Sequence, residues 1–319
     1  MAMRVAWSMR RRTLGGGIMD EAETALLTRG LLVGYDPADP GPTAVALRDI
    51  WLRGASAQAI PLSPGQKAFV RDWGIADPEF AAAGTPVPLL TVMGKEIGAL
   101  ARKRIPEYMA LMRLLWADFG REGRLVAVVA LGPMELAAPE EVIPVLREMA
   151  ESCVFWEDCD QLAMKALEPV LRRNPEKWLD PLGTFVLDSN KWVRRAGITA
   201  IGRLPMKKAA YTERCVALVA PALGDPDVDV KRALSFALRV SARGDTEPVR
   251  RFILARQSAV DVHSLWVLCD VVRSMTRGLL PAFVGLLPTY RAWLDSAAPQ
   301  AKRSVEAAVR LLEGCAPEA

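Results

Sequence analysis

Histidine is almost missing from this chain: 319 residues include one, His263. A zinc site built on several histidines is therefore excluded, and a Ser-His-Asp triad would have a single residue to draw on. His263 itself reads as an ordinary helix residue. Cysteine is sparse and scattered. The five (Cys153, Cys159, Cys215, Cys269, Cys315) form no Cys-x-x-Cys pair and are odd in number. That argues against a disulfide framework and for reduced, buried thiols in a cytoplasmic protein. No uncharged apolar run reaches about 18 residues, so no membrane span is expected. Alternating β-branched stretches are absent, which argues against sheet. Neither sign of charge dominates, the formal net charge being +4. Residues Met1 to Gly17 contain Met9-Arg10-Arg11-Arg12 and Gly15-Gly16-Gly17 but no apolar stretch long enough for a secretory signal. Residues 1–18 are expected to be a disordered leader, with Met19 an alternative start.

What the chain does have is helical periodicity. Hydrophobic residues make up 51% and charged ones 24%, the balance of a soluble globular protein with a substantial core. Apolar positions recur at three and four. They predict helices over 107–119, 123–134, 139–152, 157–173, 177–187, 191–204, 207–223, 228–243, 247–255, 260–275, 279–295 and 299–313. Breakers such as Asn174-Pro175, Asp188-Ser189-Asn190 and Gly224-Asp225-Pro226 fall between them. Helix pairs repeating every roughly 35 to 41 residues describe an all-α fold, an α-solenoid of HEAT-like pairs. Stacked pairs build a superhelix whose concave wall comes mainly from the second helix of each pair. The repeat array is expected over 105–319, with the helices in 279–313 extending its core. A less regular helical cap is expected over 19–104, with helices over 19–29, 42–53, 63–73 and 88–104.

Trp156 and Asp160 stand four apart in Phe155-Trp156-Glu157-Asp158-Cys159-Asp160, and residues so spaced share a helix face. Arg195 follows one repeat later, in Asn190-Lys191-Trp192-Val193-Arg194-Arg195-Ala196. An indole, a carboxylate and a guanidinium on one wall suit a charged sugar. Taken singly, Trp156 is a core residue, Asp160 a charge near a helix N-terminus, and Arg195 an inter-repeat ion-pair partner. Basic residues also come in adjacent clusters, among them Arg102-Lys103-Arg104, Arg172-Arg173, Lys207-Lys208 and Lys231-Arg232. Recurring at helix-pair spacing, they would follow a polyanion along one face, or else be solvated and balanced by acids.

Four stretches together resemble the bacterial DNA alkylation repair glycosylases of the AlkD family. Trp116-Ala117-Asp118-Phe119-Gly120-Arg121-Glu122 is similar to the family's Trp-x4-Arg-Glu stretch. Phe155 to Asp160 is similar to its Trp-Trp-Asp-x-Val-Asp segment, and Asn190 to Ala196 to its Asn-x-Trp-x-x-Arg-Ala segment. Lys231-Arg232-Ala233-Leu234-Ser235-Phe236-Ala237-Leu238-Arg239 is similar to its Lys-Ala-x-x-Trp-x-Leu-Arg segment. The resemblance covers roughly residues 85 to 260. It implies a HEAT-like fold, with Trp156 as active-site tryptophan, Asp160 as catalytic aspartate and Arg195 as active-site arginine. It puts Arg203 at a DNA-contacting position and Phe236 where the family has a second tryptophan, a departure that loses indole area and its N–H donor. Arg239, Lys231, Arg232, Arg194 and Arg121 are further candidates for DNA contact.

The activity implied is hydrolysis of the N-glycosidic bond of cationic alkylpurines, such as 3-methyladenine, 7-methylguanine or bulkier adducts, in duplex DNA. The base would stay in the helix, and an abasic site would remain. Such a base leaves readily, and the developing positive charge on the sugar calls for a nearby anion and a placed water. Asp160 would supply both, Trp156 would pack on the deoxyribose, and Arg195 would clamp a flanking phosphate. Glu157 and Asp158 are expected to face solvent, and Trp192, Trp116 and Glu122 to be structural. No cofactor, no metal, no membrane and no obligate protein partner are expected, and a monomer is. Two other functions remain open: a non-catalytic HEAT-repeat module binding branched or damaged DNA, and a protein-binding scaffold.

Overall fold

The computed structural model describes residues 19–55, 84–256 and 261–315. The expected leader, the helix expected over 63–73 and the start of the one expected at 260 lie outside those residues. Among the described residues every regular element is a helix. The first are Glu21–Val33 (α1), Gly41–Arg53 (α2), Val87–Ala101 (α3), Ile105–Asp118 (α4), Gly120–Ala137 (α5) and Pro139–Glu151 (α6). The next, α7, runs Trp156–Leu162, widens into a π turn at Ala163–Leu167, and resumes at Glu168–Arg173. Then come Pro175–Gly183 (α8) with a 3-10 tail Thr184–Leu187, Lys191–Arg203 (α9), Thr212–Val219 (α10), Val228–Ser241 (α11), Thr246–Leu254 (α12) and Val262–Arg273 (α13). A 3-10 stretch Arg277–Leu286 leads into Leu287–Ser296 (α14) and Pro299–Glu313 (α15).

Local chemistry sets these ends. Asn190, Asp227, Asp245 and Asp261 each cap a helix by accepting from its first free amides. Prolines occupy the first positions of α3, α4, α6 and α15, where no amide donor is needed. Gly120, at φ 62°, takes the left-handed conformation that lets α5 follow α4 almost without a loop.

The helices stack as an α-solenoid. α3 packs on α5, α5 on α7, α7 on α9, α9 on α11, α11 on α13 and α13 on α15, forming one continuous layer. The alternate helices flank it, α8 touching α10 and α10 touching α12. The chain thus places the helices bearing Asp160, Arg195 and Lys231 side by side. Glycines permit the closest crossings: a Cβ on Gly98 would stand 2.7 Å from the Ala130 carbonyl oxygen, and one on Gly202 would collide with Ala237. One hydrophobic cluster runs the length of the stack, through Leu115, Leu131, Leu146, Leu167, Ile198, Leu234, Leu268 and Phe283. Each such side chain contributes about 1.5–3 kcal/mol on burial.

Ion pairs stitch each repeat to the next. Arg121–Glu157, Arg124–Asp158, Lys191–Asp229 and Arg194–Asp225 join residues 36, 34, 38 and 31 apart. Several boundaries differ from expectation, and prolines explain two of them. Pro221 ends α10 early in a 3-10 turn, and Pro281 holds 277–286 in 3-10 form before Leu287–Ser296 begins. The basic triplet Arg102-Lys103-Arg104 lies in the turn after α3 rather than on its face.

Candidate functional site

Trp156 is the first residue of α7, and Asp160 lies one turn further along the same helix. Phe155, the capping residue, is extended and buried, with its ring 5.2 Å from that of Trp156. Trp156 is 39% exposed. A single exposed aromatic is ordinary on its own, so what stands beside it decides its reading.

The carboxylate of Asp160 meets Arg195 from the neighbouring α9. Arg195 Nε donates to Oδ1 at 2.9 Å and Nη2 to Oδ2 at 2.8 Å, a bidentate fork. Nη1 donates to the backbone carbonyl of Asp229 on α11 at 2.7 Å. The Thr199 hydroxyl, one turn along α9 from Arg195, donates to Asp160 Oδ1 at 3.4 Å. The guanidinium carbon stands 6.0 Å from the Trp156 ring centroid. Indole, acid and guanidinium therefore converge. Burial pulls the Arg195 pKa down, but the Asp160 carboxylate more than reverses it and leaves it above its ordinary value.

Arg195 corrects one expectation. Its side chain is only 7% exposed, against 19% for Asp160, and its donors are directed to Asp160 and Asp229. Its guanidinium is already engaged by those two partners, where the expectation gave it a flanking phosphate. Asp160 also lies past the first turn of α7, beyond the helix's free amides, so the guanidinium rather than the helix terminus is the positive group at its side. Glu157 and Asp158 do not face solvent. They pair with Arg121 and Arg124 of α5, and their charge is locally cancelled. Burial raises the Asp158 pKa despite Arg124.

The other basic candidates divide in two. Arg121 is held by Glu157, and Arg194 by Asp225 and the carbonyls of Asp188 and Ser189. Both guanidiniums are thus paired across repeats. Among the described residues, the exposed Arg232, Lys165 and Lys207 have no partner, and the partly exposed Arg203 has no carboxylate within reach. Arg239 donates to the Ser274 carbonyl and lies 5.8 Å from the Phe236 ring. Its pKa falls through burial. Lys231 Nζ donates to His263 Nδ1 at 3.3 Å and sits 5.7 Å from the Trp266 centroid. Phe236 is partly exposed on the same helix. Trp192 and Trp116 are core, Trp116 donating to Ser152.

Sequence reasoning missed Thr199 and Asp229. Thr199 stands four residues after Arg195, a spacing that would have found it. The Asp229 contribution is a backbone carbonyl and leaves no trace in residue type. Glu157, Asp158 and Gln161 line a cleft with Trp116, Arg121, Arg124 and Leu125, and Asp160 is not part of its wall. Among the described residues no cluster of three or more His, Cys, Asp or Glu is placed to hold a metal, and no helix is long and apolar enough to cross a membrane.

A family model described as DNA alkylation repair enzyme matches residues 63–265, well over half of the chain and including Trp156, Asp160, Arg195 and Thr199. No curated protein and no solved structure matches the chain.

Proposed function

The chain belongs to the DNA alkylation repair enzyme family, and from that premise we propose that it is a DNA glycosylase. In this proposal it hydrolyses the N-glycosidic bond of cationic alkylated purines in duplex DNA, of the size of 3-methyladenine, 7-methylguanine or larger, and leaves an abasic site. The observation that carries the proposal is the exposed Trp156 indole beside a carboxylate that a buried arginine fixes in orientation. As the bond to a cationic base breaks, positive charge builds on C1′ of the sugar. A fixed anion there lowers the barrier, because its position is settled before the reaction starts. Asp160 supplies that anion. With Arg195 on one side, it can still accept from a water at its open edge and aim it at C1′. Trp156 lies against the deoxyribose and adds its electron-rich face to the same positive centre. An indole at the surface can reach a sugar from outside the duplex, which favours a base that stays stacked.

DNA is held by the unpaired cations. Arg232, one helix on from Arg195, takes the phosphate-clamping part, and Arg203 and Lys207 extend the path. The alternative is a module that binds damaged or branched DNA without cleaving it, favoured by Phe236 in place of an indole. The Asp160→Asn variant separates the two. Asparagine keeps the shape and one acceptor for Arg195 but removes the charge. Base release from methylated duplex is expected to vanish while DNA affinity stays within a few fold. Equal release by the variant removes Asp160 from its role. Binding without release by the wild type establishes the non-catalytic module.

A further inference from the structure

Helices α7, α9, α11 and α13 stand in sequence in one layer, and their N-caps put them in a common register. The fifth residue after each cap is Asp160 after Phe155, Arg195 after Asn190, Arg232 after Asp227 and Trp266 after Asp261. The first two are in contact and the third is an exposed cation. The fourth is a partly exposed indole with Lys231 of α11 beside it, 5.7 Å from the ring centroid. Lys231 also donates to His263 Nδ1. An ammonium has only donors, so Nδ1 must be the acceptor and the ring proton sits on Nε2, as a donor. The corner between α11 and α13 therefore gathers a cation (Lys231), a ring N–H and an indole face. Asp261, the nearest acid on α13, spends its carboxylate on the amides of His263 and Ser264 and on the Ser264 hydroxyl.

We propose that His263 and Trp266, with Lys231, form a second seat for the sugar–phosphate backbone of the same DNA duplex, remote from the bond that breaks. The chemistry is that of a nucleic-acid strand. Lys231 and the His263 N–H suit a phosphate, and Trp266 suits the apolar face of the adjoining sugar. Packed helices lie about 8–10 Å apart, so three steps separate this seat from Asp160 by roughly 24–30 Å. At about 3.4 Å per base pair that is about 7–9 base pairs to one side of the lesion. The inference rests on the proposed DNA-repair function and adds a direction and a footprint to it.

Duplex length tests it. Binding of the full chain is measured by fluorescence anisotropy on duplexes carrying a non-hydrolysable abasic-site analogue. One arm is fixed and the other lengthened from about 4 to about 12 base pairs, on each side in turn. Wild-type affinity is expected to rise about tenfold as one arm passes about 7–9 base pairs, and not for the other arm. His263→Ala and Trp266→Phe are each expected to lose most of that rise, and both are mild enough to keep α13 folded. Affinity that rises equally on both sides, or a rise that survives in both variants, overturns the second seat while leaving the glycosylase proposal intact. Failure of the wild type to bind any of the duplexes refutes the DNA-repair function itself, and the seat with it.

Discussion

Replacing Arg195 distinguishes a residue that aims a carboxylate from one that grips DNA. Its side chain makes three charge-assisted or buried hydrogen bonds, at 2.9, 2.8 and 2.7 Å. Both partners are well shielded, at 7% and 19% exposure, so solvent screens the pair little. In Arg195→Ala the Asp160 carboxylate retains only the 3.4 Å contact from Thr199, and the Asp229 carbonyl loses this donor. Breaking such a pair costs about 3–5 kcal/mol. At about 2–4 °C per kcal/mol, the melting midpoint should fall by roughly 6 to 20 °C. Base release should fall with it, because the carboxylate is free to swing. DNA affinity, measured well below the midpoint across a salt series, should keep its salt slope, since no phosphate contact is lost. Arg232→Ala should do the reverse. It is exposed and unpartnered, so stability moves by no more than about 0.5 kcal/mol, and the log–log salt slope shrinks by about 0.9. Should Arg195→Ala prove too unstable to purify, Arg195→Lys keeps the charge and loses the fork. A slope reduced by about one unit in an Arg195 variant, with none lost in Arg232→Ala, refutes the assignment of the two arginines.

Two further outcomes follow from the packing. Glu135 is fully buried on α5 with neither carboxylate oxygen partnered, and burial pushes its pKa well above the ordinary range. The folded state then holds a proton that the unfolded state releases above about pH 4.3, so stability from this residue is full below that value and declines as pH rises, by about 1.4 kcal/mol per pH unit until the raised pKa is reached. Glu135→Gln should match the wild-type midpoint near pH 4 and exceed it increasingly toward pH 7 in thermal melts; a constant offset would contradict the buried neutral carboxyl. Gly202→Val should lower stability by about 1–3 kcal/mol through collision with Ala237 at the α9–α11 crossing, read as a shifted denaturant midpoint, and an unchanged midpoint would mean the two helices can part freely.

The fold was legible because apolar periodicity and breakers are local signals, and the repeat spacing then follows from counting. The spacing that suggested the trio also held: Trp156 and Asp160 share the start of one helix, and Arg195 reaches them from the next. What was not legible was how the charges divide. Arg194 and Arg195 are adjacent and chemically alike, yet one pairs with Asp225 and the other with Asp160. Glu157 and Asp158 look like surface acids until α5 brings Arg121 and Arg124 against them. Such partners lie a full repeat away, so residue type alone cannot tell a paired cation from a free one. The 3-10 stretch at 277–286 was missed for a different reason. Its apolar pattern fits an α-helix, and Pro281 in its middle decides the matter.

The widened turn in α7 has a consequence for how the stack tolerates change. Ala163–Leu167 carries an extra residue in the coil, just where the Lys165 carbonyl oxygen would stand 2.7 Å from a Cβ on Gly132. An α-helix advances about 100° per residue. The wide turn absorbs its extra residue without that rotation, so deleting one residue there and letting the coil regularise keeps the Trp156 end in phase with the Glu168 end and leaves Asp160 facing its arginine. A single codon lost at that bend is thus expected to be tolerated, where the same loss in a regular helix of the stack would not be.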